Sequence, residues 1–218
     1  MGSSGWSVIT DNWGLLMKGL LTTLELSAFA LLLSIPVGIL IGLCRVSKNR
    51  ILSSAAVSYV EFIRGVPLLV LLMWMYFVLG RFLKLGPFWS GVVALGIFSA
   101  AFIAEIVRAG IQAVPRGQME AARSSGMTHI QAMRFIILPQ AFRKVLPPMA
   151  SQFITLIKDS SLVSVISVID LTQVAKNLVA TSFKALEVWT SIAIIYFCIT
   201  FLLSQLINLL ERRYRVTE

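Results

Sequence analysis

The chain has 218 residues, 57% of them hydrophobic and only 13% charged, with 19 Lys and Arg against 10 Asp and Glu for a net charge of +9. Soluble domains average about 45–50% apolar and 25% charged residues, so a water-soluble domain is excluded; the long apolar runs standing between the charges exclude a disordered or fibrous chain. The excess of positive charge does not read as nucleic-acid binding, because no basic run is interleaved with stacking aromatics in a polar context, and it reads instead as an orientation signal in a bilayer.

Residues 1–5 are small and polar, without the basic start and short cleavable apolar stretch of a signal peptide. A helix that crosses a bilayer needs about 20 mostly apolar residues, since hydrocarbon offers no partner to a backbone polar group. Charge-free runs over 26–44, 65–80, 85–104, 145–157 and 189–210, the first, second and fourth extended back past charged residues, predict spans over 20–44, 58–80, 85–104, 138–157 and 189–210, the first containing Pro36 and Gly38, the fourth distorted near its start by Pro139 and Pro147. The fifth ends in the basic stop Glu211-Arg212-Arg213-Tyr214-Arg215. The expectation is a single all-α transmembrane domain over 1–218. Basic residues favour the cytoplasm, and an N-out, C-in topology puts twelve of them inside (Arg45, Lys48 and Arg50 in the first loop, six more over 108–144, then Arg212, Arg213 and Arg215) against six outside.

The loop between the third and fourth spans, 105–137, is too long and too structured in composition for a linker. Pro115 suits a first helical turn, 118–125 is helix-competent, and Gly126 suits a left-handed C-terminal residue. Thr128 with Gln131 makes a capping box for a second helix over 130–137, stopped by Pro139. Gln118 begins the first helix, Ala121 and Ala122 let another surface approach, and Glu120 and Arg123 offer polar contacts at the rim. Periodicity alone leaves two readings open: a docking knob, or an amphipathic helix pair lying on the membrane.

Glu120-Ala121-Ala122, three residues, Gly126, nine residues, then Ile136-Ile137-Leu138-Pro139 resembles the EAA loop of ABC importer permeases. The resemblance extends over about 15–213. Glu61-Phe62-Ile63-Arg64-Gly65-Val66-Pro67, Ala104-Glu105-Ile106-Val107-Arg108-Ala109-Gly110-Ile111 and Lys158-Asp159-Ser160-Ser161-Leu162 are similar to the permeases for polar amino acids of the histidine, glutamine, glutamate/aspartate and arginine type. It implies a type I ABC importer (MetI-like) permease fold with five transmembrane helices in a bacterial cytoplasmic membrane. It also implies two ATPase subunits, a second copy or paralogous permease subunit, and an extracytoplasmic solute-binding protein. In that family the EAA loop forms the coupling helices seated in a cleft of the ATPase.

No G-x-x-x-x-G-K-[ST] segment occurs, so ATP and magnesium are expected on the partner ATPase and no cofactor on this chain. Membrane lipid is the remaining partner; nucleic acid is none. The expected mechanism has ATP binding close the motor subunits, each moving the helix over 118–126 and opening the paired bundles outward.

Charges at membrane depth are functional candidates by default. Glu61 with Arg64, and Glu105 with Arg108, are spaced to pair on one helix face; with Lys158, Asp159 and Ser160 they are candidates for the substrate path, the alternatives being structural pairs and a surface turn. Cys44 and Cys198 sit in different apolar runs and predict no bridge; with the single His129 they form no metal-ligand set, and His129 is expected to face solvent. A membrane protease would need a base beside its nucleophile within the bilayer, and an ion channel a filter motif; neither is found. The expected activity is transport without catalysis on this chain, of polar amino acids with glutamate, aspartate or glutamine favoured. A permease for another small solute, or a channel-like protein, is the alternative.

Overall fold

The computed structural model describes residues 5–214, with side chains through Leu209, and every regular element among them is helical. The small polar start at 1–4 and the charged side chains of the expected basic stop at 211–215 lie outside the described residues. In chain order the elements are α1 (Ser7–Asp11), α2 (Trp13–Arg45), α3 (Arg50–Gly65), α4 (Leu68–Leu83, with a π-helical turn at Met75–Leu79), α5 (Pro87–Gln112), α6 (Arg116–Ser124) and α7 (His129–Ala132). A π turn at Met133–Ile137 leads into α8 (Leu138–Asp159), a 3-10 segment Ser160–Ile166, α9 (Leu171–Ser182) and α10 (Ala185–Tyr214).

Three helices, α2, α5 and α10, are long and apolar enough to cross a membrane, or four segments if the bent pair α3–α4 counts as one. The expected span over 58–80 is therefore corrected: its two halves meet at a 105° bend. The cause is local, because a residue before proline is pushed out of the helical region; Val66 is extended (φ −96°, ψ 131°) and Pro67 starts the next helix as its cap. A helix does form over the expected fourth span, but Gln140, Arg143 and Lys144 and the two internal prolines Pro147 and Pro148 keep α8 out of the apolar set. The expected loop also starts later, since α5 runs on to Gln112 and takes Glu105 and Arg108 with it.

Pro139 does not stop the second short helix. Leu138 donates its N–H to the Met133 carbonyl, five residues back, and Pro139, which has no N–H, follows where the ladder has already changed pitch; the chain continues as α8.

The chain divides into two compact units. Unit 1 takes the chain to Leu32, Pro67–Gly96 and the part from Phe153; unit 2 takes Leu33–Val66 and Ile97–Gln152. Unit 1 packs Leu16 of α2, Leu171, Val174 and Leu178 of α9, and Val188 and Ile192 of α10 into one cluster. Asp170 caps α9, its Oδ1 accepting the Gln173 N–H at 2.8 Å, while the Thr23 hydroxyl accepts from Leu171 N–H at 3.1 Å.

Unit 2 packs Ile103, Val107 and Ile111 of α5 with Ile137, Ala141 and Val145. Here α2 approaches α5 through Gly38 and Gly42, a glycine pair four residues apart. A Cβ at Gly38 would stand 2.6 Å from the Ile103 side chain, and one at Gly42 2.8 Å from the Ala104 carbonyl. That is the small-xxx-small arrangement by which membrane helices reach close backbone contact. Tyr59 ties α3 to α5 by donating to the Ile97 carbonyl at 2.7 Å.

Candidate functional site

Unit 2 gathers most of the chemically pointed side chains. Arg45, the last residue of α2, reaches Glu105 of α5 with one guanidinium nitrogen and Glu61 of α3 with another, the latter at 3.9 Å. Glu105 is shared: its other oxygen accepts from Arg108 Nε at 3.0 Å and from a second Arg108 nitrogen, and Arg108 also donates to Gln112. Two arginines and two glutamates thus form a lattice of balanced charge linking α2, α3 and α5. Its members are buried to different depths, the side chain of Arg45 being 10% exposed, Glu105 25%, Arg108 28% and Glu61 65%.

The expected Glu105/Arg108 pair forms. The expected Glu61/Arg64 pair does not: Glu61 turns to Arg45, and Arg64 lies over the Phe102 ring with its carbon 5.5 Å from the centroid, where the ring's negative face holds a cation. Arg45 is the residue that sequence reasoning missed. It was counted only as a loop cation, although a basic residue closing a long apolar helix stands where the helix dipole favours a positive charge and within reach of its neighbours.

The helix pair following α5 is built for stiffness. Pro115 stands at the N-cap of α6 rather than in its first turn (φ −57°, ψ 136°). The turn after α6 is closed from several sides: Gly126 adopts φ +85°, Met127 N–H donates to the Ala122 carbonyl at 3.2 Å, and Arg123 donates to the Met127 carbonyl at 2.8 Å. Both halves of the Thr128/Gln131 capping box are present at the start of α7. Gln118 accepts from Gln140 at 3.3 Å, and Lys144 caps the end of α5 by donating to the Ala113 carbonyl at 3.0 Å.

Two of the expected contact residues also serve the chain itself: Ala122 is 7% exposed and packs inward, with Ala121 and Glu120 exposed beside it, and Arg123, itself exposed, donates to the turn. His129 is half-buried in the first turn of α7 rather than fully solvent-facing.

Lys158, Asp159 and Ser160 belong to unit 1, and Glu61, Arg64 and Glu105 to unit 2. Asp159 ends α8 and the chain continues directly as a 3-10 segment, so a surface turn is not what forms there; Ser160 is fully buried and donates to the Ile157 carbonyl at 2.7 Å. Lys158 is exposed. No group of three or more metal-ligating side chains occurs among the described residues.

The chain is similar to the probable glutamine ABC transporter permease protein GlnM of Bacillus subtilis (strain 168), 42% identical over 208 residues that make up 95% of this chain and 96% of the relative. Among solved structures it is similar to an amino acid ABC transporter crystallised with histidines, at 42% identity and a TM-score of 0.91, covering 98% of this chain and all of that one. The inward-facing MetNI methionine ABC transporter shares the fold at 23% identity, with a TM-score of 0.81 over 94% of this chain and 99% of that one. Residues 34–216 match the family described as binding-protein-dependent transport system inner membrane component. With an all-helical permease fold, relatives that are amino acid permeases and no catalytic activity of its own, the chain belongs to that family as a transmembrane subunit of an amino acid ABC importer.

Proposed function

We propose that this chain is one of two permease subunits of an importer for polar amino acids, with glutamine the leading substrate, and that α6 is the helix through which a partner ATPase drives it. The observation that carries the reading is the braced turn after α6. A helix that must pass on a rigid-body push cannot end in a slack connection, and here a left-handed glycine, an arginine side chain and a capping box fix it on three sides. Ala121 and Glu120 are exposed on the same helix for docking.

The chain crosses the membrane five times, by α2, the broken α3–α4 pair, α5, α8 and α10, with the N-terminus outside and the C-terminus in the cytoplasm. Counting α8 as a span leaves α5 and α8 joined through α6 and α7 on the cytoplasmic side, together with Arg45, Lys48 and Arg50, in keeping with the positive-inside bias. Two ATPase subunits bind and hydrolyse magnesium-ATP; their closure moves α6 and, through the π turn and α8, the paired bundles. A solute-binding protein delivers substrate outside. The candidates for the substrate path are, in unit 2, Glu61, Arg64 and Glu105 and, in unit 1 taken by itself, Lys158, Asp159 and Ser160. The glutamine lean rests on the likeness to GlnM.

Nothing in this chain lies within 4 Å of a Cβ built at Gly126, so within the chain a substitution there acts through backbone conformation. Gly126→Val, reconstituted in liposomes with ATPase and binding protein, is expected to cut labelled glutamine uptake at least tenfold while the subunit still inserts. Gly126→Asn, which tolerates the left-handed region, is expected to keep most of it. Full uptake by the valine variant would remove α6 from the coupling role; uptake of sugars or metal ions in place of amino acids would overturn the substrate class.

A further inference from the structure

Unit 2 holds a cavity of about 720 Å³ between the end of α2, the end of α5, and α6 and α7. Its polar lining is one-sided: Arg45, Lys48, Arg116 and His129 face it, and no Asp or Glu does among the described residues. Glu105 and Glu61 occupy Arg45. Lys48 and Arg116 are exposed and have no ion-pair partner within 4.0 Å among the described residues. The remaining wall is largely apolar, from Ile111 near the end of α5 and Val114 just beyond it to Met119, Met133 and Ile137.

This combination narrows the occupant. An amino acid zwitterion brings an ammonium group that needs acceptors, and the lining side chains offer an amide oxygen on Gln112 but no carboxylate. A nucleotide wants an aromatic platform for its base, and no Phe, Tyr or Trp lines the cavity. A phosphate monoanion carrying hydrocarbon satisfies both halves, with charge-assisted contacts to Lys48 and Arg116 and an apolar body against methionine and aliphatic walls. The volume suits a headgroup with the first part of its chains.

We propose that this cavity binds an anionic phospholipid by its phosphate, with Lys48 and Arg116 as the phosphate ligands. Bound there, the lipid bridges the α2–α3 turn and α6, so that its presence stiffens the seat of the helix that carries the motor's push. The assignment of that face to the inner leaflet rests on the topology proposed above; the binding itself does not.

The test uses the assembled importer with its ATPase, in detergent, probed by native mass spectrometry with phosphatidylglycerol, phosphatidylcholine or inorganic phosphate. The wild-type complex is expected to retain phosphatidylglycerol at least tenfold better than phosphatidylcholine. Lys48→Ala/Arg116→Ala should fall to the phosphatidylcholine level, and the charge-matched control Arg50→Ala/Arg143→Ala should behave as wild type. Met119→Trp, which fills the cavity without changing charge, should also lose the lipid. Unchanged retention in the Lys48/Arg116 double variant would overturn the proposal. So would inorganic phosphate displacing the lipid at equal concentration, which would mark a free-anion site, or loss of the ATPase with lipid retention intact, which would mark the cavity as part of the motor's footing. Separately, Lys48→Cys in a Cys44→Ser/Cys198→Ser background should react with an impermeant thiol reagent from the cytoplasmic face only; labelling from outside would refute the topology and leave the lipid result standing.

Discussion

Each unit draws a carboxylate away from solvent, fully at Asp170 and partly at Glu105, and the two are held by different means, with Asp170 Oδ2 left without a hydrogen-bond partner among the described residues. In unit 1, Asp170 is fully buried with no ion-pair partner among the described residues; its Oδ1 takes the N–H of Gln173 at the head of α9, and burial pushes its pKa up to about 6. In unit 2, Glu105 is held between the guanidinium groups of Arg45 and Arg108, and its partners come from two helices. A capping carboxylate is local: it works as long as the first turn of its own helix exists. An ion-pair lattice across α2, α3 and α5 depends on where those helices stand relative to one another, so unit 2 carries polar contacts that register helix position.

Removing a single member of that lattice should give the largest effect. Glu105→Gln leaves two arginines, one of them 10% exposed, without their shared counter-charge, and breaking a buried pair in this way costs about 3–5 kcal/mol. The partial exposure of Glu105 and Arg108 puts the expected loss near the lower figure. Denaturant unfolding of the assembled complex measures it, and Arg45→Met added to Glu105→Gln should recover part of the loss. A single variant within about 0.5 kcal/mol of wild type would mean that the lattice contributes little to stability.

The same contrast holds for close packing, and alanine is the probe. At Gly42 in unit 2 a Cβ would meet the Val107 Cβ at 2.7 Å and the Ala104 carbonyl at 2.8 Å, neither of which yields without moving a helix. At Gly91 in unit 1 it would meet the side-chain ends of Leu26 and Val163 at 3.3 Å, which can shift by a few tenths of an ångström. Gly42→Ala should destabilise by about 2–3 kcal/mol and Gly91→Ala by under about 1 kcal/mol. Equal losses at the two sites would dissolve the distinction between a backbone contact and a side-chain contact.

What the sequence revealed follows the same division between local and distant causes. The positive φ at Gly126 and the Thr128/Gln131 box were legible because each depends on residues within one turn of itself. So did the apolar runs behind α2, α5 and α10. The 105° bend at Val66-Pro67 was also locally encoded, but an unbroken charge-free stretch masked it. The partner of Glu61 could not be found by spacing: Arg64 is three residues away, yet Arg45, sixteen residues back on another helix, is the nearer charge. Gly38 stands in the sequence only as a glycine inside the first predicted span, and its meaning lies in Ile103 and Ala100, more than sixty residues on.

A pH scan sharpens the comparison of the two carboxylates. Because the folded pKa of Asp170 is about 6 and an unfolded aspartate titrates near 4, the folded chain binds the extra proton between those values. The contribution of this group to stability therefore falls as pH rises from about 4 to 6, by an amount on the order of 2 kcal/mol, and stays low above 6. Asp170→Asn keeps an acceptor for the Gln173 N–H and removes the charge, so it is expected to be more stable than wild type at pH 7 and to lose this component of the slope. If the Asn variant shows the wild-type pH profile, Asp170 is not the titrating group.

Among the polar contacts, the smallest expected effect comes from the neutral counterpart of that cap. Thr128 heads α7 as Asp170 heads α9, with its hydroxyl accepting from Gln131 N–H at 3.2 Å, but it is exposed and carries no charge. Replacing it with alanine removes one acceptor that water can partly replace, which costs about 1 kcal/mol or less, and the cost should not change between pH 4 and 8 because no proton is exchanged. The Gln131 side chain still accepts from the Thr128 position's backbone N–H, so half of the box survives the substitution. If Thr128→Ser, which keeps the hydroxyl, matches wild type in stability while Thr128→Ala loses about 1 kcal/mol at every pH, the cap acts through that single bond. A loss that grows at one end of the pH range would mean that more than this single bond is removed with the hydroxyl.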